Sequence, residues 1–136
     1  MGVHHVDLVV SSIERSLPFY RELLAPLGWH RVTEVEGERG ETIFYVGGPG
    51  VSIGLREAQS ESSDYDRYSV GLHHLAFEAD SRREVDERAA WLRTHDVELE
   101  SEPQEYTYIP GYYAVFFFDP DGLKLEIVHV PGLTAA

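Results

Sequence analysis

The chain has 136 residues, 43% hydrophobic and 26% charged, with no cysteine and a formal net charge of −13. That size and composition predict one compact globular domain over residues 1–136 and exclude disulfides, thiolate metal sites and cysteine nucleophiles. The acid excess excludes a basic nucleic-acid footprint, and no stretch reaches the about 20 apolar residues of a membrane span, so the chain reads as cytoplasmic, binding neither nucleic acid nor membrane.

The chain opens on GVHHVDLVVSS, which alternates as a strand should. SSIERSLPFYRELLAPLG follows, with Ile13, Leu17, Tyr20, Leu24 and Leu27 at helical spacing. Ser11 or Ser12 can cap its start, and Gly28 follows its end. Three strand segments come next, HRVTEVEG, ETIFYVGG and VSIGLREA, the last two joined through a turn at Gly47–Gly50. A polar linker over about 59–70 includes QSESSDYDR, expected to be disordered, as is the GLTAA tail.

After the linker the order repeats. GLHHLAFEAD carries the same doubled histidine, and DSRREVDERAAWLRTHDV shows a helical stripe at Val85, Ala89 and Leu92. VELESEP, YYAVFFFD and LKLEIVHV then read as strands, the last two joined by the turn DPDG. The internal repeat fixes the architecture. It predicts an α+β fold of two βαβββ modules, about 3–58 and 71–130, forming a curved, mostly antiparallel sheet with helices outside.

Strand alternation sorts the candidate site residues. Val6, Leu8 and Val10 form a packing face, leaving His5 and Asp7 on the other. In the second module Leu75, Phe77 and Ala79 pack, leaving His74 on the open face. His4 and His73 are assigned to the helix side. Glu126 and Lys124 share the open face of the last strand; Gly54 and Arg56 share it in the first module. Aligned at Gly50 and Gly122, the halves set Gly54 against Glu126. His5, His74 and Glu126 form a two-imidazole, one-carboxylate set suited to a divalent metal with open positions. Arg56 is a candidate anchor for an anionic substrate and Asp7 a candidate partner for an imidazole.

The run HHVDLVVSSIERSLPFYRELL, then GLHHLAFEAD, then YYAVFFFDPDGLKLEIV resembles the vicinal oxygen chelate superfamily of glyoxalases, bleomycin-resistance proteins, fosfomycin-modifying enzymes and extradiol dioxygenases. The resemblance spans about Val3 to Val130. It implies the paired βαβββ fold, a homodimer and ligands from the first, fourth, fifth and eighth strands, here His5, Gly54, His74 and Glu126. Gly54 cannot ligate. Extradiol enzymes carry a tyrosine where this chain has Phe116. The resemblance also implies that the tyrosine-rich loop before the seventh strand borders the substrate, which makes Tyr112 and Tyr113 candidate proton donors.

Two functions follow as expectations. In the first, a divalent ion (Fe, Mn, Ni or Zn) held by His5, His74 and Glu126 binds a small oxygen-bearing substrate in a lyase, isomerase or dioxygenase. In the second, the chain is a metal-free protein that binds a small molecule, of the bleomycin-resistance kind.

Overall fold

The computed structural model describes residues 2–61 and 65–132. Ser62–Asp64 of the linker and all of the tail beyond Gly132 lie outside the described residues, so the expectation of disorder is not met or refused there. The chain divides into two compact units, residues 1–63 and 64–136.

The first unit runs β1 (His5–Val10), α1 (Ile13–Leu24), a 3-10 turn (Ala25–Leu27), β2 (Arg31–Glu36), β3 (Thr42–Gly47) and β4 (Ser52–Glu57). Ser12 caps α1, its side chain accepting from the Arg15 N–H, so the serine pair sets the helix start. Phe19, Tyr20, Leu23 and Leu24 on one face of α1 are buried with Leu8, Val10, Val46, Ile53 and Leu55 from the strands. The sheet order is β1-β4-β3-β2, with β1 parallel to β4 and the other pairs antiparallel.

The second unit repeats it as β5 (Leu75–Glu78), α2 (Arg82–Thr94), β6 (Leu99–Tyr106), β7 (Tyr112–Phe118) and β8 (Lys124–His129), in the order β5-β8-β7-β6. Ser81 caps α2 through the Glu84 N–H. Val85, Ala89 and Leu92, the predicted stripe, are wholly buried with Val115, Phe117, Leu125 and Ile127. Truncating Leu92 or Leu125 to alanine would cost about 2–5 kcal/mol in lost burial and cavity. The predicted α+β class, helix positions and largely antiparallel pairing are present, organised as two four-stranded mixed sheets.

The structure departs from the sequence reading in two places. Strand β6 runs on to Tyr106, through Pro103, although proline argues for an end near there. Pro103 is tolerated because β6 is an edge strand and its register with β7 shifts between Ser101 and Gln104, a bulge where the missing N–H costs nothing. His4 and His73 do not pack on the helix side. Both are exposed and stand just ahead of regular strand, where alternation no longer dictates direction.

Candidate active site and metal centre

Strand β8 carries Glu126 between Ala76 of β5 and Phe116 of β7. Its carboxylate is 1% exposed. Oε1 lies 3.0 Å from His74 Nε2. Oε2 accepts a hydrogen bond from the Tyr112 hydroxyl. Tyr112 stands four residues before Phe116 on β7, so it shares the face turned away from α2. Burial first, and then Glu126, pushes the Tyr112 phenol well above its ordinary value. Tyr112 therefore stays protonated and acts as a donor.

Aromatic rings wall this group. Phe116 meets His74 edge-on at 6.1 Å and Tyr106 at 5.4 Å, and Tyr106 stacks on Tyr108 at 5.4 Å. Lys124, two residues before Glu126, is buried with its ammonium 4.6 Å over the Phe116 ring and 3.0 Å from Glu100 Oε1. Glu100 also takes Arg67 at 2.5 Å. Tyr113 points the other way, donating to Asp86 of α2 at 2.7 Å. The structure thus brings Tyr112, and not Tyr113, to Glu126.

The first module occupies the same rungs differently. Gly54 pairs with Asp7 and Tyr45, as Glu126 pairs with Ala76 and Phe116. The acid has moved from the last strand of the module to its first. Asp7 Oδ2 accepts from Arg56 Nε at 2.8 Å and from the Tyr45 hydroxyl at 3.1 Å. Glu41 lies 3.9 Å from the same guanidinium. Arg56, expected to hold a substrate anion, is engaged by Asp7. Burial and Asp7 push the Tyr45 phenol up, so it too remains a donor. Sequence reasoning passed over Tyr45; its signal was its place opposite Gly54, where the other half has Phe116.

His5 is exposed and meets the Tyr45 ring edge-on at 5.7 Å. It lines a cavity of about 320 Å³ with His4, Arg31, Thr33, Tyr45 and Ser52. Asp7, Gly54 and Arg56 form the neighbouring network and not this lining. Among the described residues no ready cluster of three or more metal-capable side chains is present. His74 and Glu126 are the predicted ligands that one module brings together.

The sequence profile of the Glyoxalase/Bleomycin resistance protein/Dioxygenase superfamily matches residues 2–127. The chain belongs to this superfamily. Among curated relatives it is similar to the uncharacterized protein YqjT of Bacillus subtilis, 33% identical over 133 residues covering 93% of this chain and 97% of YqjT. It is also similar to the metallothiol transferase FosB of Staphylococcus epidermidis, 30% identical over 127 residues covering 93% of this chain and 81% of FosB. Among solved structures of the superfamily it resembles a glyoxylase/bleomycin resistance protein/dioxygenase domain from Frankia sp. EAN1pec. That match has a TM-score of 0.78 at 28% identity and covers 95% of this chain and 97% of the other.

Proposed function

We propose that this chain is a metal-dependent enzyme of the superfamily, with His74 and Glu126 as ligands of a divalent ion (Fe, Mn, Ni or Zn) and His5 as the repeat-equivalent candidate ligand of the first module. The observation that carries the reading is the Glu126 carboxylate, 1% exposed and paired with an imidazole and a phenol. Burying a carboxylate is costly unless its charge is met. Among the described residues no lysine or arginine forms an ion pair with it. The donor set, one imidazole nitrogen beside one carboxylate oxygen, suits a divalent cation. His5 is assigned by the repeat alone, and Gly54, on the rung equivalent to that of Glu126, offers no ligand atom.

When bound, such an ion polarises adjacent oxygens of a small substrate as a Lewis acid. The chain's own groups do the rest. Tyr112, held protonated, donates a hydrogen bond or a proton to a substrate oxygen. Without an ion, Glu126 Oε1 and His74 Nε2 meet each other at 3.0 Å, which keeps the two donor groups side by side. Phe116 and Tyr106 give the substrate an apolar wall. The Lewis-acid role supports a lyase, an isomerase or, with iron, a dioxygenase. The reading includes pairing of two chains, as the family resemblance implies.

The test is elemental analysis of protein expressed with supplemented metal. About one ion per chain is expected, lost in His74→Ala and Glu126→Gln. Metal at 100 times its dissociation constant stabilises the fold by about 2.7 kcal/mol, so a chelator lowers the melting temperature of the loaded protein. A chain with no metal, indifferent to chelator but stabilised by a small molecule, overturns this reading in favour of metal-free binding.

A further inference from the structure

The doubled histidines leave one member of each pair without a task. In both modules the structure joins the two rings in the same way. His73 Nδ1 lies 2.8 Å from His74 Nδ1, and His4 Nδ1 lies 2.9 Å from His5 Nδ1. The rings cross edge-on, at centroid separations of 5.0 and 5.1 Å and interplanar angles of 77° and 83°. Sequence neighbours in regular strand point to opposite faces, so the contact is not a by-product of pleating. His4 stands immediately ahead of β1, and His73 and His74 both stand ahead of β5, yet the two pairs meet through the same atoms.

We infer that His73 and His4 are positioning residues that hold the ring planes of His74 and His5 and couple to their tautomers. A bond between two Nδ1 atoms requires one to donate and the other to accept. The two rings of a pair are therefore locked into opposite tautomers. In module two the far side of His74, Nε2, faces Glu126 Oε1. If Nε2 carries the proton and donates to Glu126, Nδ1 of His74 is bare and His73 donates to it. If Nε2 is to offer its lone pair to a ligand, its proton must sit on Nδ1, and His73 accepts. A carboxylate or carbonyl at position 73 would serve only the second state. An imidazole serves both, and the bond persists through the change.

The outer ring is itself held. Tyr68 meets the His73 ring edge-on at 5.3 Å, and the backbone beneath it is tied by the Tyr65 hydroxyl, which faces the Leu72 and His73 carbonyls. The His73 side chain is also exposed, so its far nitrogen can exchange protons with water.

The inference rests on the reading of His74 as a metal ligand, and the experiment separates the two. In the metal-free full chain, ¹⁵N spectra of the histidine rings should show coupling across the Nδ1–Nδ1 bond, with His73 and His74 in opposite tautomers. Zinc titration by calorimetry should then show His73→Ala binding about 10–100-fold more weakly than the parent. His73→Asn, whose Oδ1 takes the place of Nδ1 as acceptor, should recover most of that loss. Equal zinc affinity in His73→Ala and the parent, or uncoupled rings in the metal-free chain, overturns the inference. Coupled rings in a chain whose zinc binding survives His74→Ala overturn instead the assignment of His74 as ligand, and the inference with it.

Discussion

A Cβ on Gly54 would lie 2.3 Å from Oδ1 of Asp7 and 2.5 Å from Cε1 of Tyr45. The glycine and the aspartate are one feature: the acid fills the space that a side chain on the rung would need. Asp7 is not free to swing away, because Arg56 and Tyr45 both hold its other oxygen. Gly54→Ala should therefore destabilise by about 1–3 kcal/mol through overpacking. Asp7→Ala removes one of the two clashes and frees the Tyr45 hydroxyl from its acceptor, so part of that cost should vanish when it is already present, a coupling that a double-mutant cycle in denaturant reads directly. Simple additivity would show that the two positions do not compete for this space.

Tyr112 and Tyr113 are neighbours in sequence whose hydroxyls take different partners, Glu126 and Asp86. Tyr112→Phe strands Oε2 of the buried Glu126, and should cost about 1–3 kcal/mol of stability. On the proposed reading of Tyr112 as proton donor, it should also lower turnover by about 10²–10⁴-fold. Tyr113→Phe breaks the bond to Asp86 on the helix face and should leave turnover unchanged. Equal turnover in both variants would remove Tyr112 from the chemistry.

Glu100 should set part of the acid limb of stability. Its carboxyl is held below the usual carboxylate range, chiefly by the hydrogen bond from Arg67, with Lys124 adding to it. A depressed folded value contributes stability that is present above the unfolded value and lost as pH falls through the folded one. Glu100→Gln also leaves the buried Lys124 ammonium short of its partner. The variant should be less stable by about 1–2 kcal/mol at pH 7, and its gap from the parent should close below about pH 4. Urea midpoints measured across pH check this; a gap that widened in acid would contradict it.

The DPDG turn before β8 is held by Asp119, which is 6% exposed and whose Oδ1 accepts from the Asp121 and Leu123 N–H groups, both at 2.9 Å. Gly122 completes it at φ 85°. Asp119→Ala should cost about 1–2 kcal/mol by leaving both donors unmet, while Asp119→Asn keeps an acceptor and should cost less. Thermal melts of the two variants distinguish a turn made by this oxygen from one made by the backbone alone.

The sequence by itself determined the repeat, the helices and which residues share a strand face. Those depend on local periodicity, on caps such as Ser12 and Ser81 and on turn residues such as Gly122, each legible within a few positions. It also placed Gly54 on the rung equivalent to that of Glu126, since register follows from the turns. Tertiary structure decided what those faces do. Asp7 and Arg56 are 49 positions apart, and His74 and Glu126 are 52 apart; their pairing depends on parallel strands that only the fold brings side by side. Burial then gave the same residue types opposite meanings. One carboxylate is neutralised by an arginine, and the other is left inside the protein with a phenol and an imidazole. The outer histidines escaped the alternation rule because they stand ahead of their strands, where direction is set by the neighbouring ring and not by the pleat.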